Sequence, residues 1–355
     1  MENIHKDSNF AKAFYFLASI FIFVWALSSL SNILTPIAIA ILIWFLINAF
    51  AEQIKKIFFL NNKVGDYISI PLSLIVIVYL MFEVGSFIAS SMFALSSTIS
   101  LLDSKVITLI EKLSTLTSFD LVTPLQKILQ EFSLSTVINK VISAFSNIFS
   151  NIVQILLYVL FLLLDQRFFN AKLNALFPND NHKNKAKHVL TSISNSIKTY
   201  ISITTIISLA TGFLTYIVCQ MFSLEGAVLW GFIAFVLNFI PTIGSIIAVL
   251  IPVIFALIQF PFISDVFILF TFLIIIQFVL GNIIQPKMMG NKLNISQFVV
   301  ILSLVIWGAM WGTIGMFLSV PLMVILLIIF SQFEHTKSLA ILISGDGKIV
   351  LKDKA

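Results

Sequence analysis

The sequence predicts an all-α polytopic membrane protein with about eight hydrophobic segments, two of which form helical hairpins entered from opposite sides. Hydrophobic residues make up 59% of the 355 positions and only 10% are charged, against about 25% in ordinary soluble chains. Residues 199–286 contain no lysine or arginine. Because a helix needs roughly 20 apolar residues to cross the hydrocarbon layer, this stretch alone is long enough for several crossings.

The hydrophobic segments alternate with clusters of charge along the chain. They lie at residues 14–30, 33–50, 67–93, 148–164, 199–222, 226–260, 264–284 and 297–330. The first segment lacks an A-x-A-like cleavage site and is followed at once by the second. We therefore expect it to be a retained span and not a cleaved signal peptide.

Lysine and arginine predict which connections face the cytoplasm, because cytoplasmic loops are enriched in these residues. The basic clusters are the N-terminal tail, residues 51–66, 165–198 and 285–296, and the C-terminal tail. We therefore expect both termini in the cytoplasm. This orientation explains the net charge of +5 without invoking nucleic-acid binding.

The segment 94–147 differs from the others, because its four lysines are balanced by four acidic residues. Leu121, Leu125 and Ile128 recur at helical spacing, so we expect amphipathic helices on the outer face or between subunits. The chain then divides into N-terminal membrane spans at 1–93, this extracytoplasmic segment at 94–147, a span with its basic connection at 148–198, a transport core at 199–330 and a cytoplasmic tail at 331–355.

The number of crossings predicts that two segments turn back within the membrane. Segment 199–222 leaves the chain outside and segment 264–284 begins there, so residues 226–260, here called hairpin 1, must start and end outside. By the same reasoning residues 297–330, called hairpin 2, start and end in the cytoplasm. Opposed hairpins of this kind are typical of transporters built from inverted repeats.

Helix-breaking residues interrupt each hairpin. In hairpin 1 the break spans residues 238–244, where a proline removes a backbone donor and a glycine permits a turn. In hairpin 2 the break spans residues 308–315. Both breaks contain the triplet Thr-Ile-Gly, which fits either an inverted repeat or two independent helix breaks.

Backbone groups freed at a helix break need polar partners, because lipid offers none. The candidate translocation site therefore consists of Asn238, Pro241, Thr242, Gly244 and Ser245 in hairpin 1, and Gly308, Gly312, Thr313 and Gly315 in hairpin 2. These uncharged groups suit a small polar solute. Two other interpretations stay open, namely that they satisfy only their own turns, and that the glycines serve close helix packing.

Glu83 is a carboxylate well inside a hydrophobic segment. An ionisable group at that depth is a candidate for coupling to protons or sodium ions. The alternative is that Glu83, with Ser86 and Ser90 on one helical face, lines a wet crevice between subunits.

The sequence offers no basis for catalysis, for a cofactor or for a metal site. The lone Cys219 excludes a multi-cysteine site, and His182 and His188 do not have the spacing that one helical face would present. Residues 345–348 lack the rest of a phosphate-binding loop, and no hydrolase or metalloprotease motif occurs. We expect neither an enzyme nor an ATP-driven pump.

Short motifs in the second half of the chain are specific in combination. They are Trp230-Gly231, Asn238 to Ser245, Gly281-Asn282, Gln285-Pro286, Met289-Gly290, Trp307-Gly308, Gly315-Met316 and Ser319 to Leu322. Together they resemble the autoinducer-2 exporter family of PerM-like bacterial permeases. The resemblance adds Asn282 and Gln285 to the candidate site, and the chain departs from it at Thr313, where many relatives have proline.

The resemblance implies a multi-pass protein of the bacterial inner membrane that assembles as a homo-oligomer, a pentamer, and moves a small solute. Members are associated with export of the quorum-sensing furanone autoinducer-2, and some with exchange of sodium or lithium ions for protons. We therefore expect a secondary transporter that alternates access at the two hairpins. The alternatives are a Na⁺(Li⁺)/H⁺ antiporter and a non-transporting membrane scaffold.

Overall fold

The computed structural model describes residues 2–58, 67–83, 150–290 and 293–348, with isolated positions at 65, 85, 86, 90 and 143. Over these residues the chain is helical apart from turns and one antiparallel bridge between Ile295 and Ser344. The predicted all-α fold is confirmed. The predicted amphipathic segment at 94–147 lies outside the described residues, apart from position 143.

The helices follow one another with short connections. In chain order they are α1 (Glu2–Ser29), α2 (Ser31–Ile57), α3 (Tyr67–Glu83), α4 (Ile152–Asp165), α5 (Phe169–Leu176), α6 (Asp180–Met221), α7 (Ala227–Leu237), α8 (Ile243–Gln259), α9 (Ile263–Gln277), α10 (Gln285–Met289), α11 (Gln297–Phe330) and α12 (Lys337–Ile343). A 3₁₀ turn, Gln166–Phe168, joins α4 to α5, and a π-helical stretch, Phe278–Ile284, joins α9 to α10.

Several helical stretches have the length and composition of membrane spans. Among the described residues these are Ser31–Ile57, Ile152–Leu176, Asp180–Met221, Ile263–Met289 and Gln297–Phe330. Their outward faces carry large apolar side chains, and Phe267, for example, is 70% exposed. A surface of this kind is stable against lipid and not against water. The protein is therefore a multi-pass membrane protein.

Helix α6 is the axis around which the second half of the chain packs. It has 42 residues and is about 63 Å long at 1.5 Å per residue, roughly twice the thickness of the hydrocarbon layer. One face of its C-terminal part is buried from Ile197 to Cys219, whereas its first turns are exposed and rich in lysine. Residues 165–198, expected from sequence to be a connection, are thus mainly helical.

The reason for this extension lies in the local sequence. Pro178 precedes the helix, the Asn179 side chain caps it by accepting a hydrogen bond from the Asn181 amide at 2.9 Å, and no proline or glycine follows until Gly212. A capped stretch without helix breakers continues the helix. The lysine-bearing start of α6 is therefore a helical continuation of its apolar part.

Hairpin 1 consists of α7 and α8, which pack against each other; α7 also packs along α6, and α8 packs against α9. Its base is closed by Gln259, whose Nε2 donates to the Ser223 carbonyl and whose Oε1 accepts from the Glu225 amide, both at 2.8 Å. The crossing of α7 over α6 is very close at Gly212 and Gly231. A Cβ on either glycine would lie 2.6–2.7 Å from the carbonyl oxygen of the other, so only glycine allows this approach.

Hairpin 2 is α11, which folds back on itself at Gly312. That residue has φ 62° and ψ −145°, outside the helical region. The Ser303 hydroxyl donates to the Ser319 carbonyl at 2.9 Å, although residues 16 apart in a straight helix would be separated by about 24 Å. Residues 297–311 and 313–330 are therefore two antiparallel halves.

The two hairpins approach the middle of α6 from opposite ends. Hairpin 1 starts at the C-terminal end of α6 and reaches Ser208, about 20 Å along the helix, where Asn238 donates to the serine hydroxyl at 3.0 Å. Hairpin 2 packs through Val320 and Val324 on the part of α6 near Tyr200. The rings of Phe239 and Phe317 stack where the hairpins meet, with centroids 5.0 Å apart.

The C-terminal residues after hairpin 2 pack against the chain that precedes it. The Ser296 amide donates to the Ile343 carbonyl at 3.0 Å, and the Gly345 amide donates to the Asn294 carbonyl at 3.1 Å. The Asn294 side chain also donates to Asp346 at 2.7 Å. These bonds fasten the two ends of hairpin 2 to one small cap.

Candidate translocation site

The tip of hairpin 1 is a strained γ-turn. The Ile243 amide donates to the Pro241 carbonyl at 2.6 Å, and the residue between them, Thr242, has φ 60° and ψ −59°. This form of the turn is rare, and a β-branched residue at positive φ is a clear outlier. Strain of this kind clusters at ligand sites and at moving parts of proteins.

Gly244 and Ser245 hold this turn in place. A Cβ on Gly244 would lie 1.7 Å from the Leu237 carbonyl oxygen, so the chain after the turn passes directly over the end of α7. The Ser245 hydroxyl donates to the Thr242 carbonyl at 2.8 Å. For Ser245, the interpretation that a polar residue satisfies its own turn therefore has direct support.

The tip of hairpin 2 repeats part of this construction. A Cβ on Gly315 would lie 1.9 Å from the Trp307 carbonyl oxygen. This corresponds to the contact that a Cβ on Gly244 would make with the Leu237 carbonyl oxygen. In both tips the glycine of the Thr-Ile-Gly triplet thus lies against the end of the incoming helix. The tips differ in their turns, because the positive φ falls on Thr242 in one and on Gly312, just before the triplet, in the other.

Two further residues fix the position of hairpin 2. The indole Nε1 of Trp311 donates to the Leu27 carbonyl of α1 at 3.0 Å. Gly308 faces the opposite half of the hairpin, where an added Cβ would lie 2.9 Å from the Met316 side chain. Gly308 therefore lies in close contact with the returning half of the hairpin. Thr313 is half-buried beside the tip.

A row of buried hydroxyl groups runs along α6 beneath the hairpin tips. Its members are Thr204, Ser208, Thr211 and Thr215, each at most 2% exposed. Their spacing places them on one face of the helix. Ser208 binds Asn238, as described above, while Thr211 donates to the carbonyl of Ile207 one turn earlier at 2.8 Å.

Sequence reasoning missed this row. Its signal was present, since a hydroxyl residue recurs every three or four positions in a stretch that lacks lysine and arginine. The hydroxyls place polar atoms at the level where hairpin 1 ends. The site contains neutral hydrogen-bonding groups, and the lysine and arginine residues lie outside 199–286.

The residues added by family resemblance lie on or just after the π-helical stretch. Asn282 is exposed, and Gln285 is half-buried at the start of α10. Neither side chain is hydrogen-bonded to a hairpin tip within the described part of the chain. Leu280, in the same stretch, packs on Ile203 and Ile207 of α6, so this stretch lies beside the hydroxyl row.

Glu83 lies apart from these elements. It is exposed, and its carbonyl accepts a hydrogen bond from the Ser86 hydroxyl at 3.0 Å. Helix α3 packs through Ile77 on α2 and α4. Within the described ranges no cluster of three or more His, Cys, Asp or Glu side chains is arranged for a metal ion.

Comparison with known proteins gives consistent matches. A family model described as AI-2E family transporter matches residues 14–335. The AI-2 transport protein TqsA of Escherichia coli K12 is 28% identical over 322 residues, which is 90% of this chain and 91% of TqsA.

Two other relatives match over a shorter region. A candidate transport protein of Borreliella burgdorferi is 36% identical over 197 residues, or 55% of this chain and 54% of the relative. One of Haemophilus influenzae is 36% identical over 210 residues, or 59% and 60%. The matched region thus spans just over half the length of these two relatives.

Proposed function

This chain belongs to the AI-2E transporter family, and on that premise we propose that it exports a small uncharged polar solute of the autoinducer-2 class. The name of TqsA supports this class of solute. We further propose that the protein is a secondary transporter of the bacterial inner membrane with both termini in the cytoplasm. The lysine-rich start of α6 supports that orientation, because basic segments stay on the cytoplasmic side.

The observation that carries the proposal is the meeting of two opposed hairpins above a buried polar face. Asn238 reaches Ser208 from one side, and the Phe239–Phe317 stack joins the hairpins. A charge that is buried without a partner is costly. A transporter for charged solutes would therefore hold an opposite charge at this site. The neutral hydroxyl and amide groups fit a neutral solute with hydroxyl groups.

We propose that the hairpins open in turn. Each hairpin contacts the middle of α6 from its own side, so displacement of one tip would expose the polar face to that side only. The Phe239–Phe317 stack would separate in at least one of these states. The strained turn at Thr242 would make the tip of hairpin 1 easier to displace than an ordinary turn.

The test is export of autoinducer-2 from cells that synthesise it. Extracellular and retained autoinducer-2 are measured by mass spectrometry in cells that lack the protein, express it, or express Gly315→Ala. Leu250→Ala, at an exposed position of α8, is the control. We expect export with the native chain and the control, and little export with Gly315→Ala at equal membrane abundance. Equal export with and without the native chain would refute the proposal.

The same membranes separate the other candidate functions. Inverted vesicles that acidify their lumen are challenged with sodium or lithium, and a proton flux in response would favour antiport and a role for Glu83. A scaffold would show neither flux. We also propose a homo-oligomer, a pentamer by family resemblance, which native mass spectrometry of the purified protein tests directly.

A further inference from the structure

Gln277 is a buried amide that the proposed function does not yet use. It is the last residue of α9 and is 8% exposed. Its Oε1 has no hydrogen-bond donor among the described residues. An amide oxygen buried without a donor destabilises the fold, so its presence in an apolar helix calls for a partner that arrives from elsewhere.

The position of Gln277 follows from its neighbours on α9. Leu269, Leu273 and Gln277 are buried and lie four residues apart on one face of α9, and Leu280, also buried, follows in the π-helical stretch. Leu280 packs on Ile203 and Ile207 of α6. Leu269 and Leu273 belong instead to the core around hairpin 1. Gln277 therefore lies between these contacts, at the level where Asn238 of hairpin 1 reaches α6.

The backbone after Gln277 is also unusual. Residues Phe278–Ile284 form a π-helix, a geometry that is rare and is frequently found at functional sites. A π-helix has more residues per turn than an α-helix, so it changes the rotation between α9 and α10. The direction of Gln277 on α9 is therefore not tied to α10 by α-helical spacing. The orphaned oxygen and the irregular backbone are separate observations that indicate one place.

We infer that Gln277 is a specificity-determining residue whose Oε1 accepts a hydrogen bond from a hydroxyl group of the transported solute. This inference rests on the proposed transport function and narrows its cargo to neutral compounds with hydroxyl donors. The neutral amide offers no counter-charge to a carboxylate or phosphate, whose burial without one is costly. A site built to bind a hydroxyl discriminates strongly against the analogue that lacks it, because its buried polar atom is then left unpaired.

The experiment uses the full-length protein in proteoliposomes and compares two variants with the native protein. Gln277→Leu removes the acceptor at similar volume, and Gln154→Leu changes another amide in a span, on α4, whose Nε2 donates to the Tyr158 hydroxyl. The probes are autoinducer-2 and its deoxy analogue with one ring hydroxyl fewer. Thermal unfolding of each purified variant is measured alongside.

We expect the native protein and Gln154→Leu to prefer autoinducer-2 over the deoxy analogue, and Gln277→Leu to lower that preference about tenfold. Because the oxygen has no internal partner, Gln277→Leu should unfold at the same temperature as the native protein or higher. Unchanged preference in Gln277→Leu, or clearly lower thermal stability, would overturn the inference. The inference would also be overturned if Gln277→Leu lost the preference only in the presence of sodium, because Gln277 would then be a ligand for the cation. Failure of the native protein to transport either probe would instead refute the proposed function.

Discussion

Gly244 at the tip of hairpin 1 allows the packing of the site to be tested quantitatively. An added methyl group in Gly244→Ala would lie 1.7 Å from the Leu237 carbonyl oxygen and 2.7 Å from the carbon of the same carbonyl. Both are backbone atoms, so no side-chain rotation relieves the contact. The end of α7 and the start of α8 must move apart instead.

The size of that movement sets the expected cost. A carbon and an oxygen in ordinary contact are about 3.3–3.6 Å apart, so the two helix ends must separate by roughly 1.6 Å or more. Extra methyl groups in a packed core force side-chain and backbone shifts that cost about 1–3 kcal/mol. We therefore expect Gly244→Ala to lower the free energy of unfolding by about 3 kcal/mol. Gly281→Ala is the control, because no atom lies within 4 Å of its added Cβ.

Cys219 provides the assay. It is the lone cysteine of the chain and is 0% exposed, so a thiol-reactive dye labels it only when the protein unfolds. With the ordinary relation between free energy and melting temperature, Gly244→Ala should unfold about 5 °C below the native protein. Gly281→Ala should unfold within about 1 °C of it. Equal unfolding temperatures for Gly244→Ala and the native protein would show that the hairpin is not closed as described.

Three further predictions concern other contacts. Thr242→Gly should relieve strain of about 1 kcal/mol at the γ-turn and raise the unfolding temperature in the same Cys219 assay, and a decrease would contradict the strain. Trp311→Phe should remove the bond to Leu27, worth about 1 kcal/mol, and speed hydrogen exchange in α1, whereas unchanged exchange would show that the bond does not hold α1. Hydrogen bonds from the Lys348 backbone N–H and the Asn294 side chain lower the pKa of Asp346. The stability that these bonds add is therefore present above the ordinary aspartate pKa of about 3.9 and is lost as the pH falls through the lowered pKa. Hydrogen exchange of α12 should thus respond to acid in the native chain and less so in Asn294→Ala, and an equal response in both would argue against this coupling.

Local chemistry made much of the fold predictable. The length of the apolar segments predicted the spans, and a glycine-rich break predicted where hairpin 2 turns back, which the structure places at Gly312. Counting crossings between basic clusters predicted two hairpins, and the Ser303–Ser319 hydrogen bond shows that residues 297–330 do turn back. The same approach placed residues 180–198 in a connection, because a cluster of charge was taken as the end of a helix. A capped stretch without helix breakers remains helical despite its charge.

The candidate site was only partly accessible from sequence. Asn238 and Gly244 were found because helix breaks are local signals, and the structure shows what each of them contacts. Gln277 was not found, because a single glutamine in an apolar helix gives no sign of whether it faces lipid, another helix or a solute. Only its place between Leu273 and Leu280, on the face turned to α6, distinguishes these cases.

By itself the sequence determined that this is a helical membrane protein, where its helices break, and that residues 199–286 contain no basic side chain. These properties depend on hydrophobic length, backbone geometry and charge, which are fixed by residues close together in the chain. Only the tertiary structure decided that Asn238 meets Ser208 and that Phe239 meets Phe317. Such pairs join residues 30 or more positions apart. They depend on how whole helices pack against one another, which the local pattern of a single helix does not determine.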